Sequence, residues 1–507
     1  MTDPPASSGA FNRILNAIER VGNKLPNPFM LFIYLALIVI VASWLMSMAG
    51  ASVIHPGKGE VVPIQNLASG EGVQYMLTSL LTNFTGFAPL GLVLAMMMGI
   101  GLADKVGLLD YAIKKTIMKS PPALLTYSVA FIGIMGNLAS DAAMLLIPPL
   151  AAMVFYKVGR HPLAGLAVGY AASGAGFTAN LFIAGTDALL AGISTEAAKI
   201  VDPAFEVTPL ANWYFNIVSV FVLTLVAGFI TARIIEPRLG KYHGAAVEVE
   251  VSDDPPQAGR ALRNTAIAGL LYIVLVTAAI LWPGSPLHNA DHSLIPTPPF
   301  LKGIVPILLG FFLVIGITYG RGVGKIKNSN DIVAYMSDAM RDLGSYIVLI
   351  FAISQFIAYF SWSNIGIWIA VNGAAFLKDI HFTGIGLVLC YILFTACLNF
   401  LITSGSAKWA LEAPVFVPLF MELGYNPGFI QAAYRIADSS TNVITPLMPY
   451  MVVVLAFMQK YSPKAGIGTL ISLMLPYSLL FLAAWIVLIL IFYGLGLPFG
   501  PGVGAHL

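Results

Sequence analysis

Six ionisable residues fall inside stretches otherwise apolar enough to sit in lipid: Asp141, Asp187, Lys408, Glu412, Arg435 and Asp438. A charge at the centre of a bilayer costs about 2.5–3.5 kcal/mol even on the lenient insertion scale, so residues of this kind either pair with one another or serve a solute or ion path. Arg435, Asp438 and Asn442 stand at i, i+3 and i+7 and share one helical face. That face is either a structural ion pair between Arg435 and Asp438 or a binding surface. In the second reading Arg435 holds a carboxylate through two parallel hydrogen bonds, while Asp438 serves an ion and orients Arg435 when the site is empty. Lys408 and Glu412, four residues apart, fit a plain ion pair better. Hard alkali cations prefer oxygen ligands, and Asn137, Ser140, Thr178, Asn180, Ser404, Ser406, Ser440, Thr441 and Asn442 offer them at polar interruptions of the apolar sequence. With Asp438 as the anionic member, the natural coupling ion is sodium. A proton-coupled scheme uses Asp187 or Asp438 as the carrier instead.

The surroundings of these residues exclude much other chemistry. The chain of 507 residues is 58% hydrophobic and 10% charged, against about 25% charged in soluble domains. A formal net charge of +2 suggests no nucleic-acid partner. The nearest approach to a phosphate loop, Gly320 to Lys325, has the wrong spacing and lacks a following Ser or Thr. All seven histidines lie in loops or at segment ends, which leaves no Ser/His/Asp or Cys/His set within the spans; a polytopic membrane enzyme is the disfavoured alternative. His288 and His292, flanking Asp291 in a Pro-rich loop, read as solvated residues and not as a metal site. Cys390 and Cys397 read as two small core residues. Residues 1–26 carry Arg13, Arg20 and Lys24 but no cleavage site, so the apolar run after them is expected to stay as a span.

Charge-free windows place seven spans near 29–50, 86–103, 163–183, 211–232, 264–282, 303–320 and 465–493, with two more at 344–360 and 427–458. Residues 123–156 are flanked by Lys and Arg at both ends, so the stretch enters and leaves on one face as a re-entrant hairpin with Gly136 to Asp141 at its tip. Residues 384–421 read the same way around Thr403 to Lys408. The expected fold is therefore an all-α polytopic membrane protein of about nine transmembrane helices and two hairpins. Its N-terminus is cytoplasmic and its C-terminus periplasmic. The segments are 1–26, a first membrane repeat 27–239, a cytoplasmic linker 240–262, a connector helix and outer loop 263–302, and a second repeat 303–507.

The order span, span, hairpin, span, span occurs twice, and the two copies begin on opposite faces, which makes an inverted repeat. Ser140 to Pro148 has the spacing of Ser406 to Pro414, and each hairpin is followed by a proline, Pro162 or Pro427, and then a polar break, Ser173 to Asn180 or Asp438 to Asn442. Inverted repeats with broken helices are the architecture of secondary transporters, in which unwound backbone is tolerated because it lines a site.

Five segments identify a family. Asn23 to Tyr34 (NKLPNPFMLFIY), Asn83 to Leu90 (NFTGFAPL), Gly176 to Thr195 (GFTANLFIAGTDALLAGIST), Ser404 to Pro418 (SGSAKWALEAPVFVP) and Tyr434 to Pro446 (YRIADSSTNVITP) resemble the AbgT family of p-aminobenzoyl-glutamate transporters. The resemblance covers nearly the whole chain. It implies a homodimer in the bacterial inner membrane, surrounded by lipid, without a cofactor, driven by Na+ or H+, and moving p-aminobenzoyl-glutamate or sulfonamide-like antimetabolites. It implies a substrate site of Asp187, Ser406, Trp409, Pro427, Arg435, Asp438 and Pro446, and a sodium site of Asn399, Asp438 and Asn442. Asn137 and Asn180 are the expected pseudo-symmetric counterpart in the first half. Trp409 is expected to stack on the aromatic ring of the solute.

Overall fold

The computed structural model describes residues 26–54, 60–139, 142–244, 255–289 and 298–507. Ser140, Asp141, Asp291, His292, the N-terminal 25 residues and most of the acidic linker fall outside them. The regular structure of the described residues is predominantly helical; a two-stranded antiparallel ribbon, Ser52–Ile54 against Val61–Pro63, follows the first helix.

Eight helical units among the described residues are long and apolar enough to cross a membrane: Pro28–Met48, Gly70–Lys105, Trp213–Leu239, Ala258–Leu281, Ile304–Gly322, Gly344–Trp362, Pro427–Tyr461 and Ile467–Gly494. The expected span at 163–183 is replaced by two helices, Pro162–Ala175 and Gly185–Ala198, each 14 residues long. At 1.5 Å per residue each rises only about 21 Å, short of the roughly 30 Å hydrocarbon core. The helix around Ala258 starts earlier than the expected connector boundary at 263, because Arg260 and Arg263 are good helix formers that carry the helix out of the apolar layer. Cys390 and Cys397 are not core residues: both are exposed on the apolar helix Ile385–Leu398, since in a lipid-facing protein an apolar side chain has no need to point inward.

Both hairpins are helix–break–helix units. The first pairs Leu125–Met135 with Ala142–Lys157, and the second pairs Ile385–Leu398 with Gly405–Glu422. Each is followed by a broken pair, Pro162–Ala175 with Gly185–Ala198 in the first half and Pro427–Thr441 with Pro449–Tyr461 in the second. The broken pairs begin alike. His161 and Asn426 each accept the backbone N–H two residues on, at 3.2 and 2.8 Å, and a proline fills the first helical position, where a missing N–H costs nothing. Pro427 is thus a helix starter at an outer corner, where Gly428 packs against Val503 of the C-terminal tail.

The first broken helix lies flat on the second arm of its own hairpin. At Gly165 an added Cβ would sit 2.4 Å from the backbone carbonyl oxygen of Ala151. Backbone cannot give way as a flexible side chain can, so Gly165→Leu should cost more than the usual 1–3 kcal/mol of overpacking. In detergent, the folded species of this variant should be lost or melt at least about 10 °C lower. Gly344→Ala, whose Cβ would meet open space, should leave the melting midpoint within about 2 °C of wild type.

Candidate functional site

Four polar interruptions meet at one place. In the first half the Asn137 side-chain amide donates to the carbonyls of Phe177 and, at 3.1 Å, Ala179, and Asn180 donates back to Asn137 Oδ1 at 2.5 Å. In the second half Asn399 Nδ2 donates to the carbonyl of Asp438 at 2.9 Å, to Thr441 Oγ1 at 2.8 Å and to Asn442 Oδ1 at 3.0 Å. Each hairpin tip therefore ties down the unwound backbone of the following break with one asparagine. The pairs Asn137–Asn180 and Asn399–Asn442 are equivalent in the repeat. The two breaks also touch each other, Thr178 Oγ1 lying 2.6 Å from Ser439 Oγ.

Helix ends bring the charges in. The helix Gly185–Ala198 starts with its N-terminus toward the break, and Asp187 Oδ2 accepts the Ala184 N–H at 2.7 Å. Its other oxygen meets Arg435 Nη2 at 2.6 Å, both side chains being almost fully buried. This corrects the expected partnership: Arg435 is oriented by Asp187 from the other half, not by Asp438. Three residues apart on one face, Arg435 and Asp438 are drawn to different partners. Lys408 is likewise not paired with Glu412. Its ammonium lies 2.7 Å from Asp438 Oδ1 and 2.5 Å from Asn399 Oδ1, while Glu412 Oε2 accepts the hydroxyls of Tyr391 and Thr395, both at 2.7 Å. Glu412 Oε1 stays buried without a partner, so it is the placement of Asp438 across the break, and not sequence spacing, that selects the ammonium's carboxylate.

Between these groups lies a cavity of about 440 Å³, within the usual range for small-molecule sites. Thr403, Ser404, Gly405 and Ser406 of the second tip, Asn137 of the first, and Asp438 and Asn442 of the second break are among its polar lining. Val93, Met97, Ile100, Leu138, Phe177 and Leu343 are among its apolar lining, and Tyr346 and Tyr434 line it as well. Gly405 is what lets the tip close on the carboxylate, since a Cβ there would lie 3.1 Å from Asp438 Oδ2.

Of the residues expected at the substrate site, Ser406 and Asp438 line the cavity. Asp187 and Arg435 lie behind Gly185, Thr186 and Tyr434, which do line it. Arg435 keeps capacity in reserve. Its Nε has no acceptor, and Nη2 is close to Asp187 without the alignment of a hydrogen bond. Pro446 is half-buried just beyond the second break, and Pro427 is at the outer corner already described. Of the expected cation ligands, Asn137 and Asn442 line the cavity, while Asn180 and Asn399 are buried one layer back.

Trp409 is fully buried, its ring covered by Tyr434 at a centroid distance of 4.5 Å, and its indole N–H is shared between the Leu190 carbonyl at 3.2 Å and Ser194 Oγ at 3.1 Å. It stands beneath the cavity wall and clamps the second hairpin to Gly185–Ala198. Trp409→Ala should therefore lower transport of aromatic and simple glutamate-like solutes by similar factors and lower the melting midpoint, in line with about 3–5 kcal/mol for a deleted core Trp. A loss confined to aromatic solutes would put the ring in the substrate path. Tyr434 and Thr186 were not singled out from sequence; the adjacency of Tyr434 to Arg435 and of Thr186 to Asp187 was the available signal.

Long apolar helices, paired hairpins and a buried charge network converging on a solute-sized cavity define a multi-pass membrane transporter. The chain belongs to the AbgT putative transporter family, whose model matches residues 13–507. It is 41% identical over 505 residues to the p-aminobenzoyl-glutamate transport protein of Escherichia coli K12, covering 99% of both chains. Among solved structures it is similar to the YdaH transporter of Alcanivorax borkumensis, with TM-score 0.90 and 40% identity over 94% of this chain and 100% of that one. It is equally similar to MtrF of Neisseria gonorrhoeae, described within a class of antimetabolite efflux pumps, with TM-score 0.90 and 41% identity over 97% of this chain and 100% of that one. The family is one of transporters, so the membrane-enzyme alternative falls.

Proposed function

We propose that this protein is a secondary active transporter of p-aminobenzoyl-glutamate or related aromatic carboxylates, with sulfonamide-type antimetabolites as a second cargo. The carrying observation is Arg435, a buried guanidinium with an unspent Nε donor, one layer behind a cavity whose lining mixes polar groups of the tips and breaks with apolar side chains. An aromatic acyl-glutamate has the matching parts: an acid for the guanidinium, a ring for the apolar side chains, and an amide and an amine for Asp438 and the Ser404–Ser406 tip. The E. coli relative supports the first cargo and MtrF the second. In this reading the two hairpins are re-entrant from opposite faces of the inner membrane, the N-terminus is cytoplasmic, the C-terminus periplasmic, and the protein works as a homodimer under a sodium or proton gradient.

The residues fit a sodium ion unequally in the two halves. In the first half Asn180 Oδ1 is buried without a partner and is the one oxygen left for a hard cation, because Asn137 Oδ1 and the carbonyls of Phe177 and Ala179 already accept the Asn180 and Asn137 amide donors. In the second half the oxygens are already spent on the protein's own groups.

Purified protein in liposomes preloaded with unlabelled p-aminobenzoyl-glutamate should show counterflow of labelled solute, abolished by excess unlabelled solute. The assay should be repeated with a sulfonamide under separate sodium and proton gradients. Absence of counterflow for both solutes by folded protein would remove the substrate assignment.

A further inference from the structure

The second-half cation position, where Asn399, Asp438 and Asn442 converge, holds a cation that belongs to the chain. Lys408 is completely buried, and its ammonium lies 2.5 Å from Asn399 Oδ1 and 2.7 Å from Asp438 Oδ1, with the ring of Tyr434 5.6 Å away. Two oxygens and an aromatic face are what an ammonium takes. The remaining oxygens of the expected sodium set face the wrong way for a metal. Asn442 Oδ1, Thr441 Oγ1 and the Asp438 carbonyl all receive Asn399 Nδ2, so the atom pointing at them is a donor. Turning the Asn399 amide over does not free them, because it would set its NH2 group against the Lys408 ammonium. The orientation of Asn399 is thereby dictated by Lys408. A sodium ion added here would be a second cation on one carboxylate, beside three oxygens that each already accept the Asn399 amide.

We infer that Lys408 is a tethered replacement for the coupling cation at the Asn399–Asp438–Asn442 site, so that sodium is excluded there and coupling to sodium, where it occurs, does not run through this site. Lys408 is then a residue that sets ion specificity and holds the tip–break junction closed. The inference rests on the gradient-driven reading only in treating this junction as an ion's place. It stands or falls on ion binding, whichever solute is carried.

The test is the melting midpoint of detergent-solubilised, substrate-free protein in sodium against choline chloride at equal ionic strength. In Lys408→Gln and Lys408→Met the carboxylate and amide oxygens are released, and about 100 mM sodium should raise the midpoint by about 5 °C or more in a saturable way. Adding Asn442→Ala to either variant should erase that rise. Lys408→Arg keeps a cation in place and should show no rise. Wild type should show no sodium response that Asn442→Ala removes. A saturable sodium response of wild type that disappears in Asn442→Ala overturns the inference, as does a flat sodium response in both folded neutral variants. Should both neutral variants fail to fold, the wild-type comparison with Asn442→Ala decides alone. Failure of p-aminobenzoyl-glutamate counterflow would leave these readings untouched.

Discussion

Arg435→Lys should abolish transport nearly as completely as Arg435→Ala. A guanidinium meets a carboxylate through two parallel N–H donors, whereas an ammonium offers a point charge on a flexible stem, and the reserve donor here is Nε, an atom Lys does not possess. Desolvation raises the stakes, because loss of one partner of a buried charge-assisted pair costs about 2–5 kcal/mol, or roughly 30- to 5000-fold in affinity. Asp187 sharpens the test. It holds Arg435 at 2.6 Å, so either single variant leaves its carboxylate buried and short of a partner, and some loss of stability is expected alongside the loss of binding. Combining Arg435→Met with Asp187→Asn removes both charges and should recover expression and a wild-type-like elution profile while transport stays absent. Calorimetry on the folded variants distinguishes the alternatives. Wild-type affinity in Arg435→Lys, or transport regained by the neutral double variant, would mean that the substrate carboxylate is held elsewhere and that Arg435 and Asp187 only join the two halves.

Asp438→Asn should be the most destabilising single change in the second half. It leaves the Lys408 ammonium, wholly buried and 2.7 Å from the lost charge, with the neutral Asn399 oxygen as its remaining close acceptor. Breaking a buried pair from one side typically costs about 3–5 kcal/mol, enough to remove most of the folded population of a marginal membrane domain. Adding Lys408→Met restores charge balance and should restore folding. Transport should remain at least about 100-fold down, because Asp438 also faces the cavity and the amide cannot replace its charge for the substrate's amine and amide donors. A single Asp438→Asn protein as stable as wild type would show that water reaching through the cavity solvates the ammonium. Restored transport in the double variant would confine Asp438 to a structural role.

Much of the architecture is legible in the chain because lipid permits so few solutions. Backbone polar groups must be satisfied within each segment, so apolar length alone marks helices such as Pro28–Met48 and Ile467–Gly494, and polar interruptions mark the breaks. The span that dissolved into two helices too short to cross, at 162–198, did so around the interruption already visible at Ser173 to Asn180, as the 427–458 span broke around Asp438 to Asn442; a window of mean hydropathy counts small residues as apolar and does not register that they unwind. Asn137, Asn180 and Asn442 could be named from the polar interruptions and Asn399 from the family resemblance, and the structure joins the four in pairs.

Partner choice was not legible in the same way. Helical spacing offers each charge its neighbours one turn away, and on that basis Lys408 goes with Glu412 and Arg435 with Asp438. The folded molecule brings Lys408 to a residue 30 positions on and Arg435 to one 248 positions back. In a buried site the energy of a pair depends on alignment across elements, so Glu412, which keeps one oxygen unpartnered, is nevertheless passed over, and Asp187, fixed by a helix start, is taken. Sequence by itself therefore determined that this is a twofold-repeated, lipid-embedded helical protein with charges gathered at its interruptions, because hydrophobic length and polar breaks are local properties. Tertiary structure alone decided which charge neutralises which, that Trp409 is fully buried against Tyr434 and the helix Gly185–Ala198, and that the Lys408 ammonium sits between Asn399 and Asp438, because those outcomes depend on distances across elements that no spacing along the chain encodes.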